Sequence, residues 1–201
     1  MSSDLRQGAT VWAASIAFAL VLSAGVGACG GGGADGAAAP RAASTAPRPA
    51  STAPPEDLDM KPTDFRNLTT MTKVRGFFVD NRLGHLPEAL RVASSPEGGV
   101  YPVGTIVQLV PQEAMVKRGK GWNPTTNDWE FFVLKTSAAG TEIVMRGATE
   151  TVNRFGGNCF SCHSKADTKW DLVCEQNHGC DPLPIGHDVI SAIQNADPRP
   201  R

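Results

Sequence analysis

Two cysteines and a histidine near the end of the 201-residue chain stand at a spacing that suits covalent chemistry. Cys159, Cys162 and His163 form the pattern C-x-x-C-H, in which two thiols three positions apart precede an imidazole. Each thiol can add to a vinyl group on one edge of a porphyrin, and the imidazole can then bind the iron. The pattern therefore predicts one covalently bound haem c, with thioether bonds at both cysteines and His163 as the axial ligand.

Two further cysteines leave other interpretations open. Cys174 and Cys180 could complete a four-thiolate zinc site with the cysteines of the motif, in the manner of a zinc ribbon. A ribbon has no use for His163, however, and free thiolates in an oxidising compartment tend to pair. We therefore favour haem and expect a disulfide between Cys174 and Cys180, with zinc or two plain disulfides as the alternatives.

The beginning of the chain predicts export. One positive side chain, Arg6, precedes an apolar stretch from Ala9 to Val26, which leads through Gly27-Ala28 to Cys29. This order is typical of a lipoprotein signal peptide over residues 1–28, in which small residues precede the cysteine that is lipidated. The alternative is an uncleaved membrane helix, although the stretch is barely long enough to span a bilayer.

Lipidation of Cys29 also accounts for the fifth cysteine and leaves an even number in the domain. Gly30, rather than an acidic residue, follows Cys29, as in lipoproteins that are sent on to an outer membrane. Export agrees with haem attachment, because bacterial c-type haem is attached outside the cytoplasm. We expect a lipid-anchored protein of the bacterial cell envelope that faces the periplasm, at the outer membrane rather than the inner one.

Composition divides the rest of the chain into a tether and a domain. Residues 29–57 are built almost wholly of Gly, Ala, Pro, Ser and Thr, so they cannot bury enough apolar surface to offset their ordering entropy. We expect them to be a solvated tether. Residues 58–201 are long enough for one domain with a single core. The formal net charge of -1 offers no argument for nucleic-acid binding.

Within residues 58–201 the apolar pattern favours strands. Short runs rich in Val, Ile, Thr and aromatic residues are separated by clusters of Gly, Pro and Asn. These runs are Val74–Val79, Gly104–Val110, Trp129–Lys135 and Thr141–Met145. In the second run, apolar residues such as Ile106 and Val107 point to opposite sides, which predicts a strand buried on both faces.

Helices are expected only as short pieces. They are predicted over Thr149–Phe155, near Asp171 and over His187–Gln194. The basic residues Lys117, Arg118 and Lys120 predict a solvated loop. The fold class is therefore mainly β (α+β): an antiparallel sheet with a few short helices, carrying one c-type haem.

The order of the motifs narrows the class of haem protein. A Tyr-Pro-x-Gly-Thr segment (Tyr101–Thr105) precedes a Trp-x-Phe-Phe segment (Trp129–Phe132), and Cys-Phe-Ser-Cys-His follows. Small helical electron carriers take a methionine ligand from beyond the haem motif, whereas the last methionine here, Met145, comes before it. Four-helix cytochromes c-prime need long helices that the pattern lacks. Over roughly residues 64–172 the chain resembles the cytochrome P-460 family and its relatives, the β-sheet cytochromes c-prime.

This resemblance implies a five-coordinate haem on a curved antiparallel sheet, often in a homodimer. It also implies a distal pocket for small ligands such as nitric oxide or hydroxylamine, lined by Gln108, Phe131 and Phe132. Family members that oxidise hydroxylamine carry a lysine cross-linked to the porphyrin a few residues after the Gly-Thr pair, and Gln108 stands there in this chain. The resemblance therefore leaves the hydroxylamine-oxidising activity open.

The number of ligands on the iron separates two classes of function. Iron with two strong protein ligands passes electrons, whereas iron with an open position binds gases or substrates. The candidate sixth ligands are His85, His178, His187, Met71, Met115 and Met145. We expect a haem protein that binds or oxidises small nitrogen species and passes electrons to a soluble carrier. The alternative is a six-coordinate electron-transfer lipoprotein without a substrate.

Overall fold

One antiparallel sheet organises the part of the chain that the structure describes. This computed structural model describes residues 58–154 and 156–201, so the expected signal peptide and tether, with Cys29, lie outside the described residues. In the described part the sheet has six strands in chain order, and each pairs with the next. They are β1 (Thr72–Val74), β2 (Phe77–Asn81), β3 (Thr105–Gln108), β4 (Glu113–Lys117), β5 (Trp129–Ser137) and β6 (Gly140–Gly147).

Short helices complete this part of the chain, all of it in one compact unit. The α-helices are α1 (Leu86–Ser94), α2 (Cys159–His163) and α3 (His187–Asn195), and 3-10 turns lie at Pro62–Asp64, Leu68–Thr70, Pro124–Thr126 and Thr168–Trp170. The expected class, mainly β with an antiparallel sheet and a few short helices, is confirmed. Within the described ranges, no helix has both the length and the apolar character that a membrane crossing requires.

Both faces of the sheet are covered. Residues directly opposite one another on paired strands share a face, and successive residues alternate. Val107 and Phe131 belong to one core cluster, whereas Ile106 and Phe132 belong to a second one. All of β3 is buried, so the prediction of a strand buried on both faces is confirmed.

The prediction of a single strand over Val74–Val79 is wrong. The chain reverses at Arg75-Gly76, with Arg75 at φ +51°, and β1 and β2 form a hairpin. The Arg75 guanidinium donates to Ala93 O at 2.8 Å and to Glu175 Oε1 at 2.6 Å. These partners are distant in the sequence, so the local pattern could not show that they hold the turn.

The prediction of a solvated loop at the basic residues is wrong for two of the three. Lys117 ends β4, a strand that the apolar pattern did not predict, and both Lys117 and Arg118 are buried. Their cations lie 2.7 Å from Asp171 Oδ2 and 2.8 Å from Glu130 Oε2, respectively. Each carboxylate offsets the desolvation of one cation. Lys120 is exposed, as expected.

The predicted helix over Thr149–Phe155 is also wrong. Residues 149–154 contain no helix, and Val152 instead forms an isolated bridge with Asn158. Phe155 lies outside the described residues. The backbone of this segment is used to position the start of α2, because Cys159 N donates to Thr151 O at 3.0 Å. The prediction of a helix over His187–Gln194 is confirmed by α3.

Candidate functional site

Helix α2 carries the whole C-x-x-C-H motif. Its first turn is capped by Asn158, whose side-chain oxygen accepts a hydrogen bond from Ser161 N at 2.8 Å. Residues three positions apart share a helix face, so Cys159 and Cys162 lie side by side. Both thiols are free and half-buried. The motif is thus a short, capped turn that presents two reduced cysteines together.

The two thiols are not activated as nucleophiles. Burial raises the pKa of Cys159 to about 11, and the nearby charge of Glu113 raises it further. Burial also raises the pKa of Cys162. Catalytic and redox-active cysteines need the thiolate, which lowered pKa values provide. Burial therefore favours the protonated thiol form of both cysteines.

A backbone carbonyl fixes the orientation of His163. The Nδ1 atom lies 2.7 Å from Leu172 O, and because a carbonyl can only accept, Nδ1 carries the proton. Burial lowers the pKa of His163, although the hydrogen bond to Leu172 opposes this effect. The imidazole is therefore held neutral, with its Nε2 lone pair available to a metal. A metal-binding histidine commonly has this arrangement, in which the second nitrogen donates to a carbonyl or carboxylate.

The sheet offers an apolar face to the motif. Val79, Val107, Met115 and Phe131 lie directly opposite one another across β2 to β5. All four are buried in one core cluster, against which Cys159 packs. The rings of Phe131 and His163 are in tilted contact, with 5.1 Å between their centroids. We call the face formed by these four sheet residues the motif face.

Glu113 is the polar exception on the motif face. Glu113 begins β4 two residues before Met115, and Glu113 Oε1 is buried without a hydrogen-bond partner among the described residues. Burial raises the pKa of Glu113, and the positive charge of Arg154 opposes this effect. The carboxyl is near enough to Cys159 to raise the pKa of that thiol. Glu113 was not among the predicted site residues, because a charged residue at a strand end predicts exposure.

The expected distal residues divide between the two faces of the sheet. Phe131 lies on the motif face, whereas Gln108 and Phe132 lie on the opposite face of the sheet, which we call the far face. The Gln108 amide donates to the Glu113 carbonyl at 3.2 Å, and Phe132 contacts Phe65, with 4.9 Å between the ring centroids. The structure therefore brings only Phe131 of the three to His163.

The remaining cysteines close a loop next to the motif. Cys174 and Cys180 form a disulfide, with 5.7 Å between their Cα atoms. Inside the loop, His178 stacks on Trp170 at 3.8 Å, and its Nδ1 lies 2.8 Å from Val173 O. The disulfide removes two thiols that a four-thiolate zinc site needs. Accordingly, no group of three or more His, Cys, Asp or Glu residues in the described ranges is arranged to hold a metal ion.

The candidate sixth ligands are also dispersed. His85 and His187 are exposed at the beginnings of α1 and α3. Met71 packs against the core cluster of the far face. Of the candidates, Met115 alone is buried on the motif face. Of the candidate sixth ligands, Met115 is therefore the one that lies in the core cluster against which Cys159 packs.

These donors suit a covalently attached haem. Cys159 and Cys162 would hold the porphyrin, and His163 would bind the iron through Nε2. Glu113 adds a carboxyl oxygen without a hydrogen-bond partner among the described residues to the otherwise apolar motif face. Because the His163 and Phe131 rings are in contact, a macrocycle entering between them must displace one of them.

The chain was compared with models of protein families, with curated proteins and with solved structures. None of the three comparisons found a match, so the geometry described above is what bears on function.

Proposed function

We propose that the chain is a monohaem c-type cytochrome that binds or oxidises small nitrogen species and passes the electrons to a soluble carrier. One observation carries the proposal: a neutral imidazole at His163, with its Nδ1 proton donated to Leu172 O, directly follows two free thiols on one helix face. The two thiols would supply the covalent attachment of haem c, and His163 would supply a nitrogen ligand to its iron.

The haem would supply a redox-active iron that takes small ligands. Phe131 and Met115 make the neighbouring wall apolar, which excludes water and favours neutral ligands such as nitric oxide over ions. Oxidation of hydroxylamine releases protons, so such a reaction needs a base near the substrate. Glu113 is the residue on this wall that can accept a proton, and its raised pKa brings it closer to neutral pH.

Expression in cells competent in cytochrome maturation tests the attachment. The purified protein should be coloured, with an intact mass increased by one haem. Replacing Cys159 or Cys162 with Ser should abolish covalent haem, whereas the double Ser variant of Cys174 and Cys180 should retain it. A colourless wild-type protein without the added mass would overturn the proposal.

Nitric oxide separates the two classes of function. A ferrous high-spin spectrum that shifts on addition of nitric oxide supports a ligand-binding haem. A low-spin spectrum that does not respond supports the second candidate, an electron-transfer cytochrome without a substrate. The observation that favours this second candidate is the buried Met115 thioether on the motif face. If Met115 is a ligand, Met115→Leu converts the low-spin spectrum to high-spin.

A carboxyl-to-amide substitution tests the role of Glu113. Glu113→Gln should reduce the rate of hydroxylamine oxidation by about 100-fold or more, the usual contribution of one acid–base group. Binding of nitric oxide should be unaffected, because it transfers no proton. Glu142→Gln makes the same carboxyl-to-amide change at an exposed position of β6, so it is the control and should keep wild-type turnover. Equal turnover in the Glu113 and Glu142 variants contradicts the assignment.

The proposal also covers where the protein is located and how it assembles. Cys29 would be lipidated and residues 29–57 would hold the domain off the membrane, facing the periplasm. Cys29→Ser should therefore release the protein from the membrane fraction. The homodimer implied by the family resemblance is tested by sedimentation of the released protein.

A further inference from the structure

A buried ion pair lies beside the segment that orients His163. Lys117 Nζ lies 2.8 and 2.7 Å from the two carboxylate oxygens of Asp171, and it also donates to Asn127 O at 2.6 Å. The Lys117 side chain is 7% exposed and that of Asp171 is 3% exposed. Burial lowers the pKa of Lys117 and raises that of Asp171, and each effect is opposed by the charge of the partner.

Two further hydrogen bonds hold Asp171. The Tyr101 backbone N–H donates to Asp171 Oδ2 at 2.9 Å, and Trp129 Nε1 donates to Asp171 O at 2.7 Å. Trp129 is fully buried, and Lys117 Nζ lies 5.0 Å from the centroid of its ring. Asp171 is therefore tied through its side chain and its backbone to strands β4 and β5 and to the segment that precedes β3.

The position of Asp171 determines that of the next carbonyl. Asp171 and Leu172 have φ values of +50° and +63°, in the left-handed region. Aspartate adopts this conformation readily, whereas for Leu172 it is strained and has to be held by the surroundings. Leu172 O is the acceptor of the His163 Nδ1 proton. The ion pair is thus connected to the imidazole through the backbone of Leu172, the residue that follows Asp171.

We propose that the Lys117–Asp171 ion pair is a positioning device that holds the Leu172 carbonyl against His163 and thereby sets the electron donation from His163 Nε2 to a bound iron. This inference rests on the proposed haem function. A strong hydrogen bond from Nδ1 makes the imidazole a more basic ligand, which favours ferric over ferrous iron. Loosening the carbonyl weakens that bond.

A matched pair of variants tests the proposal. Lys117→Met removes the cation of this pair. Arg118→Met, the control, removes the cation of the adjacent buried pair with Glu130, in which both side chains are 4% exposed. Within the described ranges, the Glu130 carboxylate accepts hydrogen bonds from Arg118 and Arg146 and none from residues 171–172. Both variants lose a buried cation, so a general loss of stability affects both.

The readouts are the reduction potential and the iron–histidine stretching frequency of the ferrous haem protein. Lys117→Met and Arg118→Met each remove one buried positive charge, so their potentials are compared with each other. Lys117→Met should have the higher potential of the two, and its frequency should be lower than that of Arg118→Met and of the wild type. Asp171→Asn keeps the size and one acceptor oxygen of Asp171, and it should shift both readouts in the same direction as Lys117→Met. If Lys117→Met does not fold, Asp171→Asn makes the same comparison.

Failure of the two proposals can be told apart. If the wild-type protein attaches no haem, the proposed function fails. If all variants attach haem and Lys117→Met and Asp171→Asn match Arg118→Met in potential and stretching frequency, the proposed function stands and the positioning role is refuted.

Discussion

At the scale of single residues, the sheet gives two adjacent phenylalanines different roles. Phe131 and Phe132 follow one another in β5 and are both almost fully buried. Phe131 contacts the His163 ring on the motif face, whereas Phe132 contacts Phe65 on the far face. Arg146 lies over the Phe132 ring, with 4.9 Å between its guanidinium carbon and the ring centroid. Substitutions of these two side chains can therefore be compared to distinguish an effect on the stability of the fold from an effect on the surroundings of His163.

Phe131→Ala and Phe132→Ala should each lower the free energy of unfolding by about 3 to 5 kcal/mol, because each leaves a cavity in a packed core. Only Phe131→Ala should change the environment of His163, since only Phe131 contacts that ring. Denaturant unfolding measures the first effect, and the NMR shifts of the His163 imidazole measure the second. Equal shifts in both variants would contradict the assignment of the two faces.

Glu113 predicts a pH dependence of stability. Burial raises its folded-state pKa above the ordinary value of 4.5, so folding favours the protonated form. Its contribution to stability is therefore fully present below about pH 4.5 and is lost as the pH rises through the folded-state pKa. The amide side chain of the Glu113→Gln variant cannot ionise. The free energy of unfolding of this variant should therefore increase relative to that of the wild type as the pH rises to 7. Unfolding titrations at several pH values measure this difference, and a difference independent of pH contradicts it.

At the scale of elements, the 3-10 turn that precedes Asp171 is docked through a glycine pair. Gly99 N donates to Lys169 O at 2.9 Å, and Gly98 has a φ of +70°. A Cβ atom added at Gly98 would lie 2.1 Å from Lys169 O, where a real Cβ cannot fit. Gly98 therefore allows the turn Thr168–Trp170 to approach the segment that follows α1.

Gly98→Ala should destabilise the fold by about 3 kcal/mol or more, because it combines positive-φ strain with a backbone clash. Gly84 is the matched control: its φ is +83°, but a Cβ there would meet no atom within 4 Å. Gly84→Ala should therefore cost only the strain, about 1 to 2 kcal/mol. Thermal or denaturant unfolding of both variants checks the difference, and equal losses would show that the close approach to Lys169 is unimportant.

At the scale of the whole molecule, the end of the chain is fastened to the beginning of the described domain. Asp197 Oδ2 accepts from Leu68 N at 2.8 Å and from Arg199 Nη2 at 2.7 Å. Arg199 Nη1 donates to Phe65 O at 3.0 Å, and the Asn67 amide donates to Arg199 O at 2.7 Å. The side chains of the Asp197–Arg199 pair are 1% and 2% exposed. The pair therefore closes the fold by joining its two ends.

Asp197→Ala should lower the free energy of unfolding by about 3 to 5 kcal/mol, because it leaves the buried Arg199 guanidinium without its carboxylate. It also removes the acceptor of Leu68 N. Arg201→Ala, at an exposed position only four residues further on, is the control and should change stability by less than about 0.5 kcal/mol. Denaturant unfolding measures both, and similar values for the two variants would mean that the tail is not part of the cooperative fold.

Local patterns were sufficient to predict the class of the fold and the position of the motif. The spacing of Cys159, Cys162 and His163 is visible in five consecutive residues, and the strand content of β5 is visible in its aromatic and β-branched composition. The helix at His187–Asn195 was predictable in the same way. Such features depend on neighbouring residues, and those are what a sequence displays directly.

Only the tertiary structure decided which residues surround the motif. A shift of one position moves a side chain to the other face of a sheet, and this is why Gln108 lies away from His163 while Glu113 lies near the motif. The sequence around Lys117 predicts a solvated cation, whereas the fold pairs Lys117 with Asp171, which lies 54 positions later. The sequence by itself determined where the C-x-x-C-H motif lies. The pairing of distant strands decided what is buried, because burial and ion pairing depend on residues that are neighbours only in the folded chain.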